Sequence, residues 1–477
     1  MFKGFLRSKG KYNINNLVDK PMSIYQGEQV KKQGCIGCQE LYIENGGEKM
    51  SDRKFEFIPA VESCGGEMKV AFPIEEYKNR LTKIRQIMDR ENVDFIYATA
   101  PESMYYISGY DVVWHRVNSP AAWYDSMGAG TAVHVDHNRF IHFDLPDEEG
   151  VLKLTSISTD TRLIYDIPAD MYGKSYICTT PDEGYKEIVI KNLKEEGWIK
   201  EGMTVGLEFG SYRPSYLIFN EWRELFEAAG CKVVDATEII REARAIKSPL
   251  ELQYIETATN ICYIGMEAIY EALEPGITEL EIVAAYTNAQ MKAGGESQAI
   301  ANMVRSGPYR SWCFHIPASR RKIMLGDPVG VDLAGVYNRY HSNQCRYFSV
   351  GEPPKEFAEK YAVNEKIIEM VKSAIKPNML MSELLCELRK FYKEEGLWGQ
   401  QYWIGGYELG IAYPPDWCGG STVYDIYFDC EDKERRFVPG TVVNFETGFG
   451  CIDTLMFKED EAIVLGKTTR KLMVKEF

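Results

Sequence analysis

Hydrophobic and polar positions in residues 72–244 switch repeatedly between a helical and a strand-like period. In EEYKNRLTKIRQIMDREN, one helical face contains Tyr77, Leu81, Ile84 and Ile87. The short apolar run VDFIYAT that follows is typical of a buried strand. MYYISGY, TAVHVDHNRFIHFD, TVGLEFG and KVVDATE are further predicted strands, with helical segments such as PSYLIFNEWRELFEAAG between them. The pattern predicts an α/β domain over residues 67–244.

A second unit is predicted over residues 245–477, beginning with a long amphipathic helix. Ser248 is the predicted N-cap, Pro249 takes the first helical position, and Glu251 lies in the first turn. Strand-rich segments follow at GDPVGVDLAGVYNRYHSNQCRYFSVG, RRFVPGTVVNFETGFG and LMFKEDEAIVLG, with helices over 355–396. This order predicts an α+β unit with helices outside a curved, mostly antiparallel sheet. Residues 1–66 show no sustained period and are interpreted as an N-terminal extension.

Composition narrows the classes of partner. The 477 residues include 55 Lys and Arg against 70 Asp and Glu, a net charge of −15. Such an acidic chain without a basic run is not expected to bind nucleic acid. No apolar stretch of about 18 residues occurs, and the amino terminus lacks the apolar core of a signal peptide. A cytoplasmic protein that does not bind membranes is therefore predicted.

The chain contains 12 cysteines, spread widely. Cys35 and Cys38 form a CxxC pair, with Cys64 downstream and no histidine or fourth ligand near. A zinc or redox role is one interpretation, and free thiols in the extension are the preferred one.

Seven fragments spread over the chain resemble one family. KSPLELQYIETA, EPGITELEI, SGPYRSWCFH, GDPVGVDLAG, the arginine in NQCRYFSVG, VPGTVVNFETG and KEDEAIVL occur in the order seen in the creatinase/aminopeptidase P family. MYYISGY also resembles that family's first domain, so the likeness covers roughly residues 70–470. It implies a creatinase-like α/β domain followed by the "pita-bread" fold, and a homodimer.

In the metallopeptidase branch of that family, five ligands hold two divalent cations. The resemblance places these positions, in order, at Asp332, Asn343, Tyr407, Glu446 and Glu459. The eleven-residue step to Asn343 fits the family spacing, yet the bridging aspartate and the histidine are missing. A neutral amide cannot bridge as an anion, and a phenol is a poor ligand at neutral pH. No cofactor is therefore expected; one divalent cation on Asp332, Glu446 and Glu459 is the alternative.

The segments GGYELGIAYPPDW and AGVYNRYH resemble the ectoine hydrolase-like branch more than the peptidases. Creatinase and ectoine hydrolase cut C–N bonds of amidine-like carbons, and creatinase does so without metal. Two carboxylates in one pocket repel each other by roughly 4 kcal/mol at ~4 Å. Either one acid is protonated or a cationic substrate offsets the charge. The predicted substrate is therefore a small cationic or zwitterionic C–N compound.

The resemblance places His315 beside the substrate as the residue that moves protons, which an imidazole can do near neutral pH. Glu446 and Glu459 complete the predicted catalytic set. Predicted substrate-binding residues are Asp332, Asn343, Tyr407, His341, Trp417 and Arg116. For His341 a structural role, and for Arg116 a surface position, are equally open.

The predicted reaction is a metal-independent hydrolysis of a small amidine-like or guanidine-like compound. A metal-dependent Xaa-Pro dipeptidase or aminopeptidase with an altered metal site is the main alternative. A related lyase and a catalytically inactive relative that binds a ligand also stay open.

Overall fold

The computed structural model describes residues 70–111, 129–144, 155–158, 160–163, 184–212, 214–427 and 434–477. These residues belong to one compact unit. Cys35, Cys38 and Arg116, for which the sequence suggested roles, lie outside the described residues. Within the described ranges, no helix combines the length and apolar character needed to cross a membrane.

The first part of the chain is an α/β arrangement around a six-stranded sheet in the order β4-β3-β2-β1-β5-β6. Its strands are β1 (Phe95–Ala98), β2 (Gly130–His134), β3 (Phe140–Asp144), β4 (Thr161–Leu163), β5 (Thr204–Leu207) and β6 (Lys232–Asp235). Its helices are α1 (Ile74–Arg90), α2 (Pro101–Ser108), α3 (Tyr185–Glu195), α4 (Tyr216–Ala228) and α5 (Thr237–Ala245). The predicted apolar face of α1 is confirmed, because Tyr77 and Ile84 are fully buried.

The prediction of a strand at MYYISGY is wrong, since most of this segment lies in α2. Pro101 starts the helix, and Gly109 ends it in the left-handed conformation at φ 79°. The Glu208 carboxylate accepts a hydrogen bond from the backbone N–H of Ala100 at 3.1 Å, beside the helix start. Seven of the eight helical residues are buried. An apolar run buried on every side has no period from which helix and strand can be told apart.

The second part of the chain is α+β. Its helices are α6 (Pro249–Ala272), α7 (Glu279–Lys292), α8 (Lys355–Ala374) and α9 (Met381–Glu394), with a 3₁₀ turn at Arg310–Trp312. Its strands are β7 (Met303–Ser306), β8 (Pro328–Leu333), β9 (Val336–Tyr337), β10 (Tyr340–His341), β11 (Gln344–Val350), β12 (Met379–Leu380), β13 (Gly405–Tyr407), β14 (Val423–Asp425), β15 (Arg436–Phe437), β16 (Val442–Glu446), β17 (Ile452–Phe457), β18 (Ala462–Val464) and β19 (Met473–Lys475). Helix α6 begins as predicted, with reciprocal hydrogen bonds between Ser248 and Glu251.

The main sheet of this part has nine strands in the order β14-β13-β16-β17-β11-β8-β7, with β18 beside β17 and β19 beside β11. All of its pairings are antiparallel except that of β11 with β19. The sheet is curved into a half-barrel, and the predicted fold class is confirmed.

The arginine of the NQCRYFSVG fragment, Arg346, joins three segments of this sheet region. It is fully buried and donates to the carbonyls of Ile452 at 2.7 Å and Thr469 at 3.0 Å. It also pairs with the buried carboxylate of Asp453, which accepts a second bond from Arg470 Nε at 3.0 Å. Strands β11 and β17 and the segment after β18 are therefore held by one buried ion network.

Asp453→Asn should lower the free energy of unfolding by about 3 kcal/mol, because it leaves the buried guanidinium of Arg346 without its anion. Lys471→Ala is the control: Lys471 is 68% exposed in its ion pair with Glu365, so its loss should change stability by no more than about 0.5 kcal/mol. Urea denaturation of the two variants measures the difference. Equal free energies of unfolding for the two variants would show that the ion network does not stabilise the sheet.

Candidate active site

Antiparallel register brings the candidate site together as a row across the concave sheet. Directly opposed residues are Met303 with Asp332, Asp332 with Cys345, Cys345 with Ile452, Ile452 with Glu446, and Glu446 with Gly405. Opposed residues in antiparallel strands share a face. Tyr407 shares the face of Gly405 because side chains alternate along a strand. The sheet therefore presents Asp332, Glu446 and Tyr407 to the same space.

That space is a cavity of about 600 Å³. Five of the predicted site residues line it: His315, Asp332, Tyr407, Trp417 and Glu446. The remaining walls are mainly apolar and aromatic, and include Ile300, Met303, Phe314, Tyr402, Trp403 and Val423. Its size suits a small organic molecule.

A chain of side-chain amides connects the two acids. Asn343 donates from Nδ2 to Asp332 Oδ1 at 2.9 Å. Asn444 donates from its own Nδ2 to Asn343 Oδ1 at 3.2 Å and to Glu446 Oε1 at 3.3 Å. The side-chain Oδ1 of Asn444 accepts the backbone N–H of Tyr407 at 2.7 Å. Both asparagines are fully buried, so the positions of Asp332 and Glu446 are fixed by satisfied polar contacts.

Sequence reasoning missed Asn444 and Thr454. Asn444 precedes Glu446 by two residues in the apolar segment TVVNFETG, so the period of a strand could have placed it on the same face. Thr454 Oγ1 accepts the backbone N–H of Asn343 at 3.1 Å and donates to its carbonyl at 3.2 Å. The β17 side chain nearest Asn343 is thus a neutral hydroxyl.

The two acids are electrostatically unequal. The pKa of Glu446 is raised to about 8. Burial is the largest cause of this shift, and the negative charge of Asp332 is the second. Burial also raises the pKa of Asp332, but Arg305, the Asn343 hydrogen bond and His315 oppose that shift. Near neutral pH Glu446 is therefore the acid of the pair that retains a proton.

Tyr407 and Trp417 form one wall of the cavity as a bonded pair. Trp417 donates from Nε1 to the Tyr407 hydroxyl oxygen at 2.7 Å, and Trp417 is only 2% exposed. Burial, and then the charges of Glu446 and Asp332, hold the pKa of Tyr407 well above its ordinary value. The phenol is therefore neutral at physiological pH.

His315 lies after the 3₁₀ turn, where it lines the cavity but stays exposed. No other described residue makes a hydrogen bond to its ring. The imidazole is therefore free to contact a ligand and solvent.

The prediction that Glu459 belongs to the catalytic set needs correction. Glu459 is exposed in the turn between β17 and β18, beyond the strand that lines the cavity. The run KEDE lies past the end of β17 at Phe457, so its acids lie beyond the row that contains Glu446.

His341 also does not contact the cavity. It is fully buried, its Nδ1 donates to the Arg339 carbonyl at 2.9 Å, and its Nε2 accepts the Ala299 N–H at 3.1 Å. Burial lowers the pKa of His341 to about 3, so the ring is neutral. The structural interpretation of His341 is the correct one.

The residues present do not fit a peptidase-type centre with two metal ions. Asn343 points its amide N–H at Asp332, where a bridging carboxylate would have to face a cation. The Tyr407 oxygen is a neutral phenol, and Thr454 adds no charge. Among the described residues, no three His, Cys, Asp or Glu side chains converge as ligands, and Glu459 is too far along its hairpin to be the third acid.

Two family models match the chain. Residues 253–468 match metallopeptidase family M24, and residues 80–246 match the creatinase/prolidase N-terminal domain. The chain therefore belongs to the creatinase/aminopeptidase P-like M24 family, a family of hydrolases.

Relatives with different reactions resemble the chain to a similar degree. It is 26% identical to the ectoine hydrolase of Halomonas elongata, covering 86% of this chain and 100% of the relative. It is 27% identical to the Xaa-Pro dipeptidase of Pyrococcus furiosus, covering 83% and 100%. The X-Pro aminopeptidase structure from Thermotoga maritima superposes with a TM-score of 0.63 at 19% identity, covering 83% of this chain and 99% of that one. That likeness shows the shared fold.

Glu446→Gln should make the protein more stable, and more so at high pH. Between pH about 4.5 and 8 the unfolded chain releases a proton that the folded carboxyl retains, so wild-type stability falls through this window and levels off above it. Glutamine keeps the Asn444 contact and has no proton to release. The difference in unfolding free energy, measured by urea denaturation, should grow by a few kcal/mol in order of magnitude from pH 5 to pH 8.5.

Glu459→Gln is the matched control, because Glu459 is an exposed acid on the adjoining hairpin. Its effect on stability should not change with pH. A Glu446→Gln effect that is equally independent of pH would refute the raised pKa.

Proposed function

We propose that this chain hydrolyses a C–N bond in a small cationic or zwitterionic compound, of amidine or guanidine type, without a metal ion. The observation that carries the proposal is the pair of unequal acids, Asp332 and Glu446, held by amides at the base of a partly aromatic cavity. A substrate cation supplies the positive charge that a metal ion would otherwise provide.

The cavity offers two kinds of contact to a planar cation. The ionised Asp332 and the Glu446 carboxyl can accept N–H groups, which an amidinium presents in a plane. The rings of Tyr407, Trp417 and Trp403 line the same space and can contact the cation through their faces. Binding of a cation next to Glu446 favours its ionised form, so the substrate itself raises the negative charge that holds it.

His315 supplies the proton transfers in this mechanism. Its imidazole takes a proton from water as the water oxygen bonds to the amidinium carbon. The C–N bond then breaks, and the leaving nitrogen receives that proton. Addition of water gives a neutral adduct, and its hydroxyl proton passes to the released amine as the carbonyl forms. The products are a neutral carbonyl compound and a protonated amine. Asp332 holds the nitrogen that the substrate retains during both steps.

Turnover should survive chelation and depend on His315. A panel of small amidines, guanidines, cyclic amidines and X-Pro dipeptides, assayed after treatment with EDTA, identifies the substrate. His315→Ala should then lower kcat by at least about 100-fold while changing Kd by less than about threefold. Cys313→Ser, an exposed change two residues away and outside the cavity lining, should leave kcat unchanged. Unchanged kcat in His315→Ala would eliminate this mechanism.

A metal-dependent Xaa-Pro dipeptidase is the second candidate, favoured by the similarity to the Pyrococcus furiosus enzyme. This candidate requires that activity on X-Pro dipeptides disappears with EDTA and returns with manganese or zinc. That result would replace the first proposal.

A further inference from the structure

An aromatic wall, defined as Trp312, Phe314 and Tyr402, borders the entrance side of the cavity. Phe314 and Tyr402 line the cavity and meet edge to face, with ring centroids 4.9 Å apart. Trp312 stacks behind Tyr402 at 6.1 Å with an angle of 27° between the ring planes. Trp312 in turn packs on Phe357 at 5.1 Å. The wall is therefore anchored to the protein core on one side.

One ring of this wall is partly exposed. Tyr402 is 46% exposed, and Val423, which lines the same cavity, is 45% exposed. Exposed apolar surface that is continuous with a polar site is typical of a ligand-binding surface. Covering a ring of this size is favourable because it removes apolar area from water. A ligand that reached from the acids to this wall would gain that contribution.

The charges around the wall indicate what kind of group it accepts. Arg305 Cζ lies 4.8 Å from the Phe314 centroid, and Lys360 Nζ lies 4.6 Å from the Trp312 centroid and 5.6 Å from that of Tyr402. The rings of the wall thus already interact with protein cations. A second positive charge from a ligand would be repelled there, whereas an uncharged planar group would not.

The position of His315 connects the wall to the acids. His315 directly follows Phe314, lines the same cavity, and acts electrostatically on Asp332. We infer that the substrate has two parts: a cationic amidine-like head held by Asp332 and Glu446, and an uncharged planar apolar group that lies against Phe314 and Tyr402. The identity of the head rests on the proposed function; the apolar group is the new element.

Three small probes test the two parts separately by calorimetry on the full chain: acetamidine, benzamidine and benzamide. Benzamidine adds a planar ring to acetamidine at equal charge, and benzamide keeps the ring without the charge. Wild-type protein should bind benzamidine at least about tenfold more tightly than acetamidine. In Tyr402→Ala and Phe314→Ala the ratio should fall to below about threefold, with acetamidine binding unchanged. Tyr309→Ala, which removes an 88% exposed ring outside the cavity lining, should leave the ratio as in wild type.

The outcomes distinguish the inference from the proposed function. Equal binding of acetamidine and benzamidine would overturn the aromatic wall as a ligand site and leave the proposed function standing. Equal binding of benzamide and benzamidine, lost in Tyr402→Ala, would support the wall and overturn the cationic head. Binding of none of the three would overturn both.

Discussion

The hydrogen bond from the Asn343 amide to Asp332 is the interaction on which the site depends. At 2.9 Å it directs an uncharged donor at a carboxylate that relatives with two metal ions would share with cations. Asn444 extends the contact to Glu446 and to the backbone of Tyr407. The buried Asp332 and the half-buried Glu446 can stay close because amides donate to one oxygen of each and because Glu446 retains its proton.

The sheet fixes this arrangement more firmly than a loop would. Four of the strands that carry the row of site residues, β8, β11, β17 and β16, are neighbours in the sheet, and Arg346 binds β11 to β17 through buried contacts. The residues of the cavity walls, which can determine the ligand, lie instead in loops. His315, Trp312 and Phe314 follow β7, Tyr402 lies just before β13, and Trp417 lies between β13 and β14. A rigid pair of acids is thus combined with walls built from loops, which is how one fold can serve different substrates.

Sequence reasoning located the elements whose signals are local. Ser248, Pro249 and Glu251 specify a helix start without reference to the rest of the fold, and the structure contains that start. The family likeness led to Asp332 and Glu446, which the structure brings into one cavity. His315, Tyr407 and Trp417 line the same cavity, and their roles remain predictions.

The failures have a common physical cause, namely that register and burial are tertiary properties. Glu459 belongs to the family-like string KEDEAIVL, but it lies in the turn past the end of β17. His341 lies two residues before Asn343, but both of its ring nitrogens form hydrogen bonds with backbone groups. These groups are the N–H of Ala299 and the carbonyl of Arg339, and the sequence pattern predicts neither contact. The strand period places Asn444 on the face of Glu446, but its contact with Asn343 depends on how the strands pair, and for that reason Asn444 was missed.

The proposed function requires that an organic cation, and not a pair of metal ions, neutralises this site. Calorimetric titration of metal-free protein with manganese at neutral pH, in wild type and in Glu446→Gln, measures whether the cavity binds metal. We expect no tight binding at the cavity and therefore no difference between the two proteins. Binding of two manganese ions per chain in wild type, lost in Glu446→Gln, would contradict it.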